Sequence, residues 1–485
     1  MIRTQSFYIV GILLIILSLS MLFSVVCSMI YMDGDLIPLL QSMTVTSIFG
    51  LILILLFKSK RKVELSTHDG FAVVTMAWLS MAIFSALPYY FSGSLNFTNS
   101  FFEAMSGLTT TGATILGHHN TPSIEELPHG ILFWRSFTQF LGGMGIIVFS
   151  IAILPMLGVG GVQLFRAEVA GPQADKLTPR VKQTAKLLWG IYVGFFLLLC
   201  LILKIEGMNW FDSICHSFTT IATSGFSTKS ASIGAYSGII QWTIIIFMFI
   251  AGTNFSLHYY FISKNKFKYY KDEEFRIYFI LCAIFSILFF LNLINSEKYG
   301  LDFTTLRHAL FTSVSIITTT GFNTENFNNW PEMSKTIIFF LFFIGGSAGS
   351  TAGGMKIIRS ILVFRYLVYE VRKLLHPQGV FNISIGKKTI NENIVRATLG
   401  FYLFYILIFV VTSILLSFTG LDMQTAITAS AASIGNIGPG LGSIGPSNNW
   451  GHLSEFAKWL TSFCMLLGRL EIFTVVVIFS RSFWK

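Results

Sequence analysis

Four times along its 485 residues, this chain places a hydroxyl residue, one permissive residue and a glycine between two apolar segments, each long enough to cross a bilayer. The copies read Thr110-Thr111-Gly112, Thr223-Ser224-Gly225, Thr319-Thr320-Gly321 and Ser433-Ile434-Gly435, and they recur at about 100-residue intervals. The residue after the glycine varies, through Ala113, Phe226, Phe322 and Asn436. Irregular backbone at membrane depth is tolerated only where it lines a polar cavity or is packed in protein. Four similar loops around one axis would satisfy that condition and could offer a ring of carbonyl oxygens to a dehydrated cation. A single Thr-Gly would be an ordinary helix cap or turn, so the weight rests on the recurrence.

Composition sets the class. Hydrophobic residues make up 53% of the chain and charged residues 12%, against about 25% charged in a soluble globular domain. The 49 Phe and 9 Trp suit spans with aromatic belts. Apolar runs predict spans near 6–30, 39–57, 70–91, 131–157, 187–204, 238–263, 276–294, 336–370, 395–418 and 455–480. The net charge of +10 follows this topology rather than a nucleic-acid motif. With the N-terminus cytoplasmic, most of the 33 Lys and Arg residues fall in inside segments, and the glycine loops face outward. The first span has neither the length nor the small-residue cleavage site of a signal peptide, so a retained helix is expected, turning into the second across Asp33-Gly34-Asp35. The five cysteines lack C-x-x-C spacing and read as small buried hydrophobes, with neither a zinc site nor a disulfide framework.

The expected fold is an all-α polytopic membrane protein. Two N-terminal spans (1–66) precede four pseudo-repeats of helix, re-entrant pore helix with filter loop, and helix around one central pore, at 67–165, 166–272, 273–385 and 386–485. Segments 100–108, 211–221, 306–317 and 422–431 would be the half-helices, each aiming the negative end of its dipole at the pore centre. Glycine supplies the backbone freedom that the carbonyl-bearing loops need. An even number of crossings per unit gives all four the same orientation, which favours a pore over the inverted repeats of an alternating-access carrier.

At these residues the chain resembles the Trk/Ktr/HKT superfamily of potassium transporters, and within it the TrkH/TrkG branch. The likeness rests on Thr109-Thr110-Thr111-Gly112-Ala113-Thr114, on Ile317-Thr318-Thr319-Thr320-Gly321-Phe322, on the run from Gly345 to Lys356 and on Gly468-Arg469-Leu470-Glu471-Ile472-Phe473-Thr474. It extends over essentially the whole chain, including the two N-terminal spans that the Ktr branch lacks. The resemblance implies potassium uptake across a bacterial cytoplasmic (inner) membrane, with both termini cytoplasmic. It also implies a homodimer with one pore per protomer, and a TrkA-like cytosolic ring of nucleotide-binding regulatory subunits. No cofactor is expected, and K⁺ at the filter is the only metal ion. Coupling to H⁺ or Na⁺, as in a symporter, and a secondary transporter of another solute are the alternatives. In the plant branch a serine at the first filter position accompanies sodium passage. Gly112 holds that place here, so potassium and rubidium are expected over sodium, through an asymmetric filter less discriminating than a true fourfold channel.

Gly345, Gly346, Gly349, Gly353 and Gly354 fall within ten residues, inside a stretch otherwise long enough to span, and no helix of that composition runs straight. A phosphate loop would need Gly-Lys-Ser/Thr, and Met355 precedes Lys356 instead. Small-residue helix packing would suit Gly349-x-x-x-Gly353. The resemblance favours a flexible intramembrane loop beneath the filter that blocks or opens the pore. Arg469, mid-span, is a functional candidate by its cost in the membrane. The resemblance places it in the pore with the glycine-rich loop; the alternative is a structural arginine paired with Glu471 or with backbone carbonyls, and Glu471, two residues on, would face another side of a helix. His118 and His119 read as a solvated outer pair, Glu125 and Glu126 as acids drawing cations to the mouth, and His216 and His308 as packing or hydrogen-bonding residues. The cytoplasmic loops are basic and suit a protein partner or anionic lipid headgroups. No acid/base pair or nucleophile arrangement stands out, so no catalytic residue and no enzyme activity are expected.

Overall fold

The computed structural model describes residues 4–58, 67–148, 181–263, 267–296, 298–386 and 388–483. Its elements are helical, save one two-stranded antiparallel hairpin that pairs Ser384–Ile385 with Lys388–Thr389. Six described helices are long and apolar enough to cross a membrane, or up to eight if two bent pairs count as spans. The expected span over 131–157 runs partly outside the described residues, as does most of the basic cytoplasmic segment that follows it, 158–186.

Three expected spans are not straight helices. The 238–263 span is Gly238–Ala251 followed by Phe255–Ile262, bent by 98°. The 455–480 span breaks after Arg469 and turns by 111°, with Glu471 and Ile472 at φ of 61° and 35°. The 336–370 span is two helices, Glu332–Leu341 and Ile357–Leu375, separated by the glycine-rich stretch. In each case the freed backbone groups are buried in protein, the condition under which a membrane helix can break.

The N-terminal hairpin packs helix Thr4–Tyr31 on Leu36–Phe57. A methyl group on Gly11 would lie 2.9 Å from the carbonyl oxygen of Gly50, and one on Gly50 would lie 3.0 Å from that of Gly11. These small residues let the two backbones touch, as van der Waals packing between membrane helices requires. The acidic turn then fastens the hairpin to the start of helix His129–Val148. Asp35 Oδ2 accepts the Ile131 N–H at 3.0 Å, and Asp33 Oδ2 accepts that of His129 at 3.0 Å. Both satisfy open N–H groups of the first turn of His129–Val148.

Four half-helices converge on the middle of the molecule: Phe97–Leu108, Trp210–Ile221, Phe303–Ile317 and Met423–Gly435. Each begins at a side-chain cap. Asn96, Asn209, Asp302 and Asp422 accept the N–H three residues on, at 2.9, 2.7, 2.7 and 3.0 Å. Such a cap contributes about 1 kcal/mol and fixes where the helix starts. Asn96, Asn209 and Asp422 stand at one common distance before Gly112, Gly225 and Gly438, while the third half-helix is longer, 15 residues against 12, 12 and 13. The cap spacing thus singles out Gly438 rather than Gly435 as the fourth counterpart.

Candidate functional site: a ring of four loops

Each half-helix ends in the same three-step turn. Thr110, Thr223, Thr319 and Asn436 take the left-handed conformation at φ of 52°, 51°, 54° and 52°. Two residues on, Gly112, Gly225, Gly321 and Gly438 have φ of 79°, 77°, 79° and 100°. Between them Thr111, Ser224, Thr320 and Ile437 donate their N–H groups back to the carbonyls of Ser106, Thr219, Ser315 and Ala432, at 2.8 to 3.0 Å. The repeated hydrogen bond and the repeated dihedral pair make the loops one structural motif in four copies.

The fourth copy is therefore Asn436-Ile437-Gly438. Ser433, Ile434 and Gly435, expected at that place, form the last turn of the Met423–Gly435 helix, where the Ser433 hydroxyl is spent on the Ala429 carbonyl at 2.6 Å. The hydroxyl pattern of the other three copies is absent from the true loop. Asparagine substitutes for threonine because it also tolerates φ > 0, and Ile437 contributes only its backbone. The other expected residues, Thr110, Thr111, Gly112, Thr223, Ser224, Gly225, Thr319, Thr320 and Gly321, do lie in the turns.

The loops close on one another in order. A methyl on Gly112 would lie 1.9 Å from the Ser224 carbonyl oxygen, one on Gly225 would lie 2.1 Å from that of Thr320, and one on Gly321 would lie 2.0 Å from that of Ile437. The circuit is completed by Gly438, whose methyl would lie 2.7 Å from the Thr111 carbonyl oxygen. Glycine is required at these positions twice over, by dihedral and by approach. On one side of the ring sits a cavity of about 170 Å³ that all four glycines line, together with Thr114, Ser227 and Asn323.

The glycine-rich loop lies against the other side. The Thr319 hydroxyl accepts the Gly353 N–H at 2.6 Å, and the Thr223 hydroxyl donates to that of Thr351 at 3.2 Å. A methyl on Gly353 would lie 2.5 Å from the Gly435 carbonyl oxygen. Gly345 and Gly346 abut the loop's own return strand at Gly353 and Ala352, while Gly349 and Gly354 have φ of 71° and 64°. Where a flexible segment was expected, the loop is packed, with Glu274 accepting the Ala348 and Ile358 N–H groups at 2.8 and 3.2 Å. Glu274 was not singled out by the sequence, because its contacts are more than seventy residues away.

Arg469 closes the helix Glu455–Arg469 and is 3% exposed. Its guanidinium donates to the Thr351 carbonyl at 2.9 Å and, more weakly, to that of Gly142 at 3.4 Å. It thus holds the glycine-rich loop directly. Glu471 does not pair with it and instead forms an ion pair with Arg359. Thr110 Oγ1 and Asn436 Oδ1 are buried without a hydrogen-bond partner among the described residues. Asn436 Oδ1 lies near Gly468 and near Gly353 of the glycine-rich loop.

Several remaining expectations were resolved locally. His216 links the Asp212 carbonyl and the Ser227 hydroxyl at 2.8 and 2.9 Å, and His308 meets the Thr324 hydroxyl at 2.7 Å, so both fill hydrogen-bonding roles. Glu125 and Glu126 are exposed, and each is hydrogen-bonded. Glu126 caps the Ser123 N–H at 2.8 Å, and Glu125 accepts from Ser230 N and Oγ at 2.6 and 2.5 Å. Burial pushes the Glu125 carboxyl up, but the Ser230 hydrogen bonds and the charge of Lys229 bring it below its ordinary range. His118 and His119 lie with ring centroids 5.2 Å apart, and no group of three metal-ligating side chains occurs among the described residues.

The family profile described as TrkH, a cation transport protein, matches residues 39–485. The Trk system potassium uptake protein TrkH of Vibrio parahaemolyticus is 40% identical over 485 residues, and that of Escherichia coli K12 is 41% identical over 489, each alignment covering 98% of both chains. The TrkG protein of Escherichia coli K12 is 34% identical over 435 residues, covering 88% of this chain and 87% of its own. The crystal structure of the potassium transporter TrkH from Vibrio parahaemolyticus superimposes with a TM-score of 0.90 at 38% identity, covering 99% of each chain. With its ring of four loops and a profile match over most of its length, this chain is a multi-pass membrane protein that belongs to the TrkH family of cation transport proteins.

Proposed function

We propose that the chain carries potassium into the cell through a channel-like pore whose selectivity filter is the ring of Gly112, Gly225, Gly321 and Gly438 with the carbonyls that precede them. The closure of four equivalent loops in sequential order around one axis is the observation that carries this reading. Successive carbonyls replace the hydration shell of the ion, and the C-terminal ends of the half-helices add partial negative charge. The buried oxygens Thr110 Oγ1 and Asn436 Oδ1 would extend the coordination by one layer on the inner side. The relatives named as potassium uptake proteins support the choice of ion.

The loop 345–354 and Arg469 act as the gate. Thr351 touches Thr223 and Arg469 together, so the loop bridges the inner mouth and a fixed positive charge stands beside it. In this closed arrangement a cation leaving the filter meets the loop first. The ring carries no titratable side chain, which favours passive conduction over proton coupling. The protein would sit in a bacterial inner membrane as a homodimer, opened by a cytosolic nucleotide-binding ring. Single-channel recording of the purified protein with and without that ring tests the reading. Discrete unitary currents that reverse near the potassium equilibrium potential are expected, and smooth, tightly coupled transport without unitary events would refute it.

A further inference from the structure

Behind the first two filter loops lies a charged pair that the reading above leaves unused. Glu103 on the first half-helix and Arg135 on His129–Val148 are 0% and 1% exposed. Glu103 Oε1 accepts Arg135 Nε at 2.7 Å and the Thr114 hydroxyl at 2.9 Å, while Oε2 accepts the Ile115 N–H at 3.1 Å. The carboxylate therefore grips the strand that leaves the first filter loop. Arg135 reaches the other way. Its Nη1 donates to the Ser227 carbonyl at 2.8 Å, and its guanidinium lies 3.6 Å from the centroid of the Phe226 ring.

One helical turn on, Gln139 grips the same second loop from behind. Its Nε2 donates to the Ser224 carbonyl at 3.1 Å, and its Oε1 accepts the Ser224 hydroxyl and the Phe226 N–H at 2.7 and 3.1 Å. A helix of the first repeat thus fixes the filter loop of the second. Counting back equally from each ring glycine, the places of Glu103 are taken by His216, Thr312 and Ala429. His216 meets Ser227, the counterpart of Thr114, at 2.9 Å. Threonine and alanine put no charge behind the third and fourth loops, and among the described residues no other ion pair touches a filter loop.

We propose that Glu103 and Arg135 are positioning residues that hold the first and second filter quarters at a fixed separation and thereby set discrimination against sodium. The proposal rests on the filter reading. Where selectivity comes from cavity size, a smaller ion is rejected because the carbonyls cannot close in around it. A rigid charge-assisted strap resists that closure, because charge-assisted hydrogen bonds are short and roughly twice as strong as neutral ones. Removing one partner alone would leave a buried charge unpaired and endanger folding. Removing both charges together avoids that penalty and isolates the positioning role.

The test is rubidium and sodium uptake into proteoliposomes by the full chain, comparing the double variant Glu103→Gln/Arg135→Gln with the unmodified protein and with Gly112→Ser. The double variant is expected to conduct both ions with its rubidium-to-sodium ratio reduced about tenfold, equivalent to ~1.4 kcal/mol of discrimination. Adding Arg469→Ala to it should raise flux without restoring the ratio. An eroded ratio in Gly112→Ser with an unchanged ratio in the double variant overturns the strap and leaves the filter standing. Unchanged ratios in both overturn the filter reading itself. Arg135→Lys keeps the charge but loses the forked reach to both Glu103 and Ser227, so its ratio must also fall. An unchanged ratio there overturns the proposal even if the double variant does not assemble.

Discussion

Replacing the glycine at position 438 with alanine, and separately the one at 435, distinguishes the ring from its neighbour three residues earlier. Gly438 sits at φ of 100°, and an added methyl would come 2.7 Å from the Thr111 carbonyl oxygen. Holding an L-residue in so sparsely populated a conformation costs about 1–3 kcal/mol. The backbone contact cannot be relieved by rotating a side chain, so the loop must shift away from its neighbour. Gly435 is helical, and its methyl would meet the flexible end of Ile437 at 2.9 Å and the Phe342 carbonyl oxygen at 3.1 Å. Helix propensity there favours alanine by about 1 kcal/mol, which offsets much of that crowding. Rubidium uptake in proteoliposomes, with sodium as competitor, should therefore fall about tenfold or more for Gly438→Ala and change only a few-fold for Gly435→Ala. Equal losses in both variants, or a larger loss at 435, would refute the assignment of the fourth quarter.

Other consequences follow from the same geometry. Arg469→Ala removes the donor that holds the Thr351 carbonyl, and flux should rise in tracer uptake without the cytosolic partner. Gly353→Ala forces a methyl to within 2.5 Å of the Gly435 carbonyl oxygen, so the loop must withdraw from the ring and flux should rise there too. Gly112→Ser should lower the rubidium-to-sodium uptake ratio, because its side chain would displace the Ser224 carbonyl. Asp35→Ala leaves the Ile131 N–H without its acceptor, a loss of about 1–2 kcal/mol that should lower the thermal midpoint in detergent while leaving ion selectivity intact.

The class of the molecule and three of the four loops of the ring were legible because they depend on local signals. Apolar length marks spans, the short segment before each loop marks a half-helix, and Thr-x-Gly marks a turn that needs φ > 0. The fourth loop was misplaced because Ser433-Ile434-Gly435 imitates the pattern while Asn436-Ile437-Gly438 lacks its hydroxyls. The spacing from Asp422 to Gly438, shared with the first two repeats, was the signal that would have found it. The glycine-rich break was visible in composition. The break after Arg469 was not, since an isoleucine at φ of 35° is a conformation imposed by packing that local propensity opposes. Long-range partners were also hidden. Arg359 for Glu471, Ser230 for Glu125 and Arg135 for Glu103 are 112, 105 and 32 residues apart and become neighbours only in the folded structure.

Anomalous diffraction from crystals soaked in rubidium tests the central claim most directly. Peaks are expected on the axis among the carbonyl oxygens of Thr111, Ser224, Thr320 and Ile437, with none beside Ser433 or Gly435. Rubidium bound away from that ring, or no ordered ion within it at concentrations that support uptake, would contradict the account.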